Sequence, residues 1–114
     1  APEDVMALRE LVKDVEISDT VISYSVSLIQ ALRNNEDVAS GPSTRASMAL
    51  HRASRALAFL QERDYVLPDD VRELALPVFE HRLQLTTEAE IEEITPRHIV
   101  EQVLEATPIP KGVA

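Results

Sequence analysis

The chain has 114 residues, a formal net charge of −9, 45% apolar and 27% charged side chains, two glycines and neither cysteine nor tryptophan. That is one domain with enough apolar side chains for a modest core, and it excludes disulfides, thiolate catalysis, Cys-bound zinc and a Gly-rich phosphate loop. With aromatics at 4%, the acidic balance disfavours nucleic acid as a partner, and no apolar run approaches the roughly 20 residues of a membrane span.

APEDVMALRE at the start lacks the basic opening and apolar stretch of a signal peptide. Together with the absent cysteines, this leads us to expect a cytoplasmic protein. The charge is uneven. Residues 42–58 carry Arg45, Arg52 and Arg55 and no acid, whereas residues 86–105 carry six glutamates against Arg97.

The pattern is helical almost throughout. Val5, Leu8, Leu11, Val12 and Val15 recur at spacings of three and four and predict a helix over 3–15. VEIS at 15–18 is a short β-leaning joint. Ser18 or Asp19 caps a second helix to Arg33, with Val21, Ile22, Val26, Ile29 and Leu32 facing inward and Tyr24 and Leu28 on the flanks. Arg33 itself reads as an inert surface residue. NNEDVASGP is the one real loop, punctuated by Gly41-Pro42.

Ser43 or Thr44 caps a third helix over 43–62, whose stripe is Ala46, Ala49, Leu50, Ala53, Leu57 and Leu60. RDYV at 63–66 is a second β-leaning joint. Pro68 opens a fourth helix that Pro77 is expected to kink or divide. LTTEAEIEE has no period and reads as a surface excursion. Thr95-Pro96 starts a last helix over 96–106, stopped by Pro108 and Pro110. The expected fold is all-α, a small bundle of four to five helices over residues 1–107 with a tail at 108–114. The two extended joints can pair as a minimal β-bridge.

Catalytic constellations are missing. His51, His81 and His98 show no metal-helix spacing, so no metal site is expected. The pair Glu92-Glu93 reads as solvated surface. The informative stretch is GPSTRASMALHRASRAL at 41–57. Arg45 falls in the first turn of the long helix, directly after the Gly-Pro loop. At 100° per residue, Arg52 lies about 20° and Arg55 about 80° from it around the axis. Guanidinium groups beside free helix N-terminal N–H groups suit phosphate or carboxylate. Ion pairing with the chain's many glutamates is the competing reading of the same strip.

The segment GPSTRASMALHRASRALAFLQERDYVLPDDV resembles the C-terminal lid of MoxR-type AAA+ ATPases. The resemblance runs through Gly41-Pro42-Ser43-Thr44-Arg45-Ala46-Ser47, Glu62-Arg63-Asp64-Tyr65-Val66, Leu67-Pro68-Asp69-Asp70-Val71 and His81-Arg82-Leu83. VMALRELVKDVEISDTVISY and the closing VLEATPIP extend it to about 110 residues. Thr44 stands where the family often has Pro. Leu67 replaces a common Thr, which removes a capping hydroxyl typically worth ~1 kcal/mol.

The resemblance implies that Arg45 is the sensor 2 arginine, reaching the γ-phosphate of ATP held with Mg²⁺ by a P-loop core, with Arg52 and Arg55 as candidate support. It implies a parent ATPase that forms a ring, hexameric in such families. That ring would act as a chaperone-like remodeller beside von Willebrand factor A domain proteins, with this lid packed on the core domain of its own chain. The sequence contains no GxxxxGK[ST] motif and no strand–helix alternation, so this segment is expected to be a lid from a longer protein, with no ATPase turnover of its own. Two other readings compete: a free-standing helical interaction module, and a histone-like nucleic-acid binder, which the net charge opposes.

Overall fold

The computed structural model describes residues 11–110. It is mostly helical, as expected. Residues 11–13 are the end of a helix. The expected helix over 3–15 thus stops at residue 13, with Asp14 and Val15 in a turn; its residues 3–10 lie outside the described residues, as do residues 111–114 of the expected tail. There follow α1 (Asp19–Arg33), β1 (Val38–Ser40), α2 (Thr44–Leu60), α3 (Pro68–Phe79), β2 (Gln84–Leu85), α4 (Thr87–Ile91) and α5 (Pro96–Ala106).

Four of the helices α1 to α5 are preceded by a side chain that satisfies a free backbone N–H group. Ser18 accepts from Val21, Ser43 from Ala46, Thr86 from Ala89 and Thr95 from His98. α3 begins at Leu67, which has no such side chain. Asp70 compensates by accepting the Leu67 N–H at 2.8 Å, the carboxylate half of a capping box.

α2 and α4 end alike. Glu62 and Glu93 adopt left-handed backbone, with φ of 60° and 61°. In α2, the N–H of Arg63 returns to Ala58 O and that of Glu62 to Phe59 O. In α4, Ile94 returns to Ala89 O and Glu93 to Glu90 O. Both are Schellman endings with glutamate where glycine is usual.

The expected bridge between the two extended joints is present. Glu16 pairs with Tyr65 in parallel fashion, through Glu16 N–H to Asp64 O and Val66 N–H to Glu16 O, both 2.8 Å. A second pairing was not expected. β1 and β2 run antiparallel with Val38 opposite Leu85 and Ser40 opposite Gln84 and an irregularity between. The expected loop at 34–42 therefore contains a strand, and the expected surface excursion contains the short α4, with Leu85 and Ala89 buried.

Pro77 does not divide α3, contrary to one form of the expectation. The helix runs through it and ends two residues later, at Phe79. A proline so near the end forfeits a single intrahelical bond, and the buried Phe79 holds the last turn in place.

The core is built from Val21, Leu28 and Leu32 of α1, Leu50 of α2, Val71 and Phe79 of α3, and Ile99 and Val100 of α5, all nearly inaccessible. Two helices turn a different face inward than the apolar count suggests. In α1 the buried set is Val21, Tyr24, Ser25, Leu28, Ile29 and Leu32, and Val26 is exposed. In α2 it is Ala46, Leu50, Ser54 and Ala58, whereas Leu60 is 74% exposed and Leu57 half-buried. Serine can occupy the inner face because its hydroxyl bonds its own helix: Ser54 donates to Leu50 O and Ser25 to Ile22 O, both 2.8 Å.

Candidate functional site

The site lies at the start of α2. Gly41 and Pro42 join β1 to the Ser43 cap, and Pro42 is fully buried. α2 buries the row Ala46, Leu50, Ser54 and Ala58 against the bundle. With 3.6 residues per turn, Arg45 and Arg52 then fall on the opposite side of the helix. Both are exposed. Arg55 sits at the edge of the buried row and is half-buried. It lines a hollow with the joint Val15, Glu16, Ile17 and Ser18 and with Tyr65 and Val66, and its Nε is buried without a hydrogen-bond partner. The structure thus keeps Arg45 and Arg52 on one outward face and turns Arg55 toward the bridged joints.

The arginines differ sharply in how they are used. Arg63 is paired with Asp70 and Arg97 with Glu101. Arg72 donates to Leu104 O, Arg82 to Val78 O and Arg33 to Pro42 O, at 2.7, 2.7 and 2.8 Å. Among the described residues, no ion pair or side-chain hydrogen bond engages Arg45, Arg52 or Arg55. Asp14 and Glu16 line the hollow beside Arg55, but among the described residues no carboxylate forms an ion pair with the strip. An exposed guanidinium in the first turn of a 17-residue helix, with no carboxylate competing for it, is chemically suited to a polyanion such as phosphate.

Arg33 is exposed, as a surface residue should be, but it is not without a partner. It closes α1, and its Nε–H reaches across to the Pro42 carbonyl at the foot of α2. Gly41 lies against it so closely that a Cβ there would meet Arg33 Cγ at 2.8 Å and Arg33 Cα at 3.0 Å. Sequence patterning could not reveal this pair, because the eight residues between Arg33 and Pro42 carry no periodic signal.

The histidines are structural or exposed. His51 is half-buried, with Nε2 2.8 Å from Ser25 Oγ. The Ser25 hydroxyl also lies 2.8 Å from Ile22 O, so it bridges its own helix and the imidazole. Burial pushes the His51 pKa down from its ordinary value, and the nearby Arg55 charge adds to that. His81 and His98 are exposed. Among the described residues, no group of three or more His, Cys, Asp or Glu converges on a possible metal position, and no helix is long and apolar enough to cross a membrane.

Residues 30–103 match the sequence profile of the AAA lid domain. The chain belongs to the AAA lid domain family. The lid is 38% identical over 110 residues to the uncharacterized protein YeaC of Bacillus subtilis, covering 96% of this chain and 34% of that protein. It is 34% identical over 117 residues to the chaperone MoxR1 of Mycobacterium tuberculosis, covering 95% of this chain and 31% of that one. Its fold superposes on the crystal structure of a candidate ATPase from Cytophaga hutchinsonii with a TM-score of 0.89 and 36% identity, over 96% of the lid and 36% of that chain. The lid therefore spans about a third of the length of these relatives.

Proposed function

We propose that this chain is the lid of a MoxR-like AAA+ ATPase, and that Arg45 is its sensor 2 arginine. The observation that carries the reading is the isolation of Arg45. It is exposed and unpaired among the described residues in a strongly acidic protein, on the first turn of a capped helix. Such a group is kept available for a ligand the lid itself does not contain. In the full-length protein that ligand is the γ-phosphate of ATP, and Arg52 extends the same charged face. Arg55, turned toward the joint, acts on the start of the lid instead.

The residues fit the phosphate end of a nucleotide and not its metal. No carboxylate cluster among the described residues could order Mg²⁺, so metal and phosphate loop belong to a core domain in the remainder of the parent chain. Residues 1–107 are the lid proper in this reading, with 108–114 as its tail. The lid packs on that core in a cytoplasmic ring, hexameric by family analogy, and couples nucleotide state to ring shape during chaperone-like remodelling beside von Willebrand factor A domain partners.

The test is Arg45→Ala in the full-length parent. Arg45 makes no core contact, so circular dichroism and melting should match wild type. ATP turnover should drop at least about tenfold, and by less than the ~10³-fold or more of the strongest arginine effects in phosphoryl transfer. Wild-type turnover in the folded variant would return Arg45 to the status of a solubilising surface charge.

A further inference from the structure

We propose that Arg33 is the positioning residue for Arg45, holding the start of α2 through the Gly-Pro turn. The inference rests on the reading of Arg45 above and adds a residue that never touches the nucleotide. Arg45 has no side-chain partner among the described residues, so its direction is set by the backbone of the first turn of α2. From within, that turn is held by a long cap and an ordinary helical bond. The Ser43 cap meets the Ala46 N–H at 3.4 Å, a long contact, and Ser47 N–H returns to Ser43 O at 3.1 Å.

The firmer hold comes from α1. Its last residue, Arg33, donates Nε–H to Pro42 O at 2.8 Å, one residue before the cap and three before Arg45. The same side chain packs on Gly41, where any Cβ would meet Arg33 Cγ at 2.8 Å and Arg33 Cα at 3.0 Å. The first contact forces the Arg33 side chain to shift and the second presses on backbone, so an added methyl disturbs the contact at this position. The neighbouring Leu32 and Ile29 are buried, so the anchor belongs to a fixed helix. Arg33, Gly41 and Pro42 thus form a clamp that relays the position of α1 to the guanidinium of Arg45.

Positional errors of about 1 Å in groups that meet a transition state can cost ~10²-fold. A loosened but folded clamp should cost about tenfold. The experiment uses the full-length parent with Arg33→Ala, Arg33→Met (stem kept, donor lost), Arg33→Lys, Gly41→Ala and Arg45→Ala. Amide hydrogen exchange at Ala46 and Ser47 is followed beside the steady-state kinetics of ATP hydrolysis. In Arg33→Ala and Arg33→Met, both amides should exchange faster, and kcat should fall about tenfold with KM and melting temperature little changed. Arg33→Lys should recover part of the loss, and Gly41→Ala should reproduce it from the other side of the contact.

Combined with Arg45→Ala, Arg33→Ala should cost nothing further, because both act through one group. Unchanged exchange in Arg33→Ala overturns the proposal, and so does a turnover loss that persists in full in the Arg45→Ala background. A different result marks failure of the underlying reading alone. If Arg45→Ala turns over ATP at the wild-type rate while Arg33→Ala still loosens Ala46 and Ser47, the clamp stands and the phosphate role of Arg45 does not.

Discussion

Arg63 and Asp70 are joined by a two-pronged contact, Nη1 to Oδ2 at 2.8 Å and Nη2 to Oδ1 at 2.7 Å. The pair spans the turn from α2 into α3. Asp70 also accepts the Leu67 N–H, and Arg63 also donates to Tyr65 O and to Gln61 Oε1. The carboxylate side chain is only 4% exposed and the guanidinium 17%. The Asp70 carboxylate raises the already high pKa of Arg63, mainly through their hydrogen bonds. One buried carboxylate therefore starts α3 in place of the missing cap hydroxyl and fixes the backbone carrying the Glu16–Tyr65 bridge.

Removing Asp70 should accordingly be costly. Asp70→Ala strands the Arg63 guanidinium and the Leu67 N–H together, and breaking one side of a largely buried pair costs about 3–5 kcal/mol. Asp70→Asn keeps the acceptor for Leu67 and loses the charge, so it should fall between wild type and alanine. Urea denaturation of the three proteins gives the order directly, and equal midpoints would show that the pair is dispensable.

The two left-handed glutamates predict gains in stability. Glycine at position 62 or 93 removes the Cβ penalty of the left-handed backbone, ~1–2 kcal/mol, and gives some of it back through the greater freedom of the unfolded chain. Glu62→Gly and Glu93→Gly should each stabilise by about 0.5–1 kcal/mol. The increments should be nearly additive, since the two endings share no partner. A lower melting temperature in either variant would mean that the glutamate side chain contributes something the backbone geometry does not reveal.

Leu50 and Leu60 lie on the same helix and should respond oppositely to truncation. Leu50 is fully buried and Leu60 is 74% exposed. Leu50→Ala should cost about 2–5 kcal/mol, and Leu60→Ala should stay within about 0.5 kcal/mol of wild type. Chemical denaturation of both variants checks the orientation of α2.

His51 predicts a pH dependence with a definite sign. Its pKa in the folded protein is lowered from 6.5, chiefly by burial and then by Arg55. Below 6.5 the unfolded chain takes up a proton that the folded chain refuses. The contribution is therefore fully present above pH 6.5 and is lost as pH falls from there toward the lowered folded value. Melting temperatures between pH 8 and 5 should decline more in wild type than in His51→Gln, and parallel curves would exclude His51 as the source.

Much of the fold was legible in the sequence because its signals are local. The Ser18 and Thr95 caps, the three- and four-residue spacing in α1 and α5, and two β-leaning joints of similar length lead to the elements observed. What was missed has non-local or inverted causes. Helix ends usually advertise themselves by glycine, and here glutamate occupies both left-handed positions, so α2 was read past Leu60. Val38 and Leu85 are 47 residues apart and pair through strands of three and two residues, too short for alternation to show.

The inner face of α2 was misjudged because Ser54 outranks Leu57 there. A self-bonded hydroxyl hides its polarity from the core, and no apolar count anticipates that. At the candidate site, the exposed position of Arg45 in the first turn of α2 is legible from a helix start after Gly-Pro. The Arg33 bond to Pro42 O is not, because it exists only once α1 and the turn are brought together.

The two small β pairings have a mechanical consequence for α2. One ties β1, just ahead of the helix, to the chain beyond α3. The other ties Tyr65, just behind it, to the joint at Glu16. A helix of 17 residues is about 25 Å long, and fastened at both ends it moves as a lever, with little bending. A rotation of the whole lid by about 10° about the Tyr65 end of α2 would carry the Arg45 end through about 4 Å, more than the length of a hydrogen bond, with both fastenings intact.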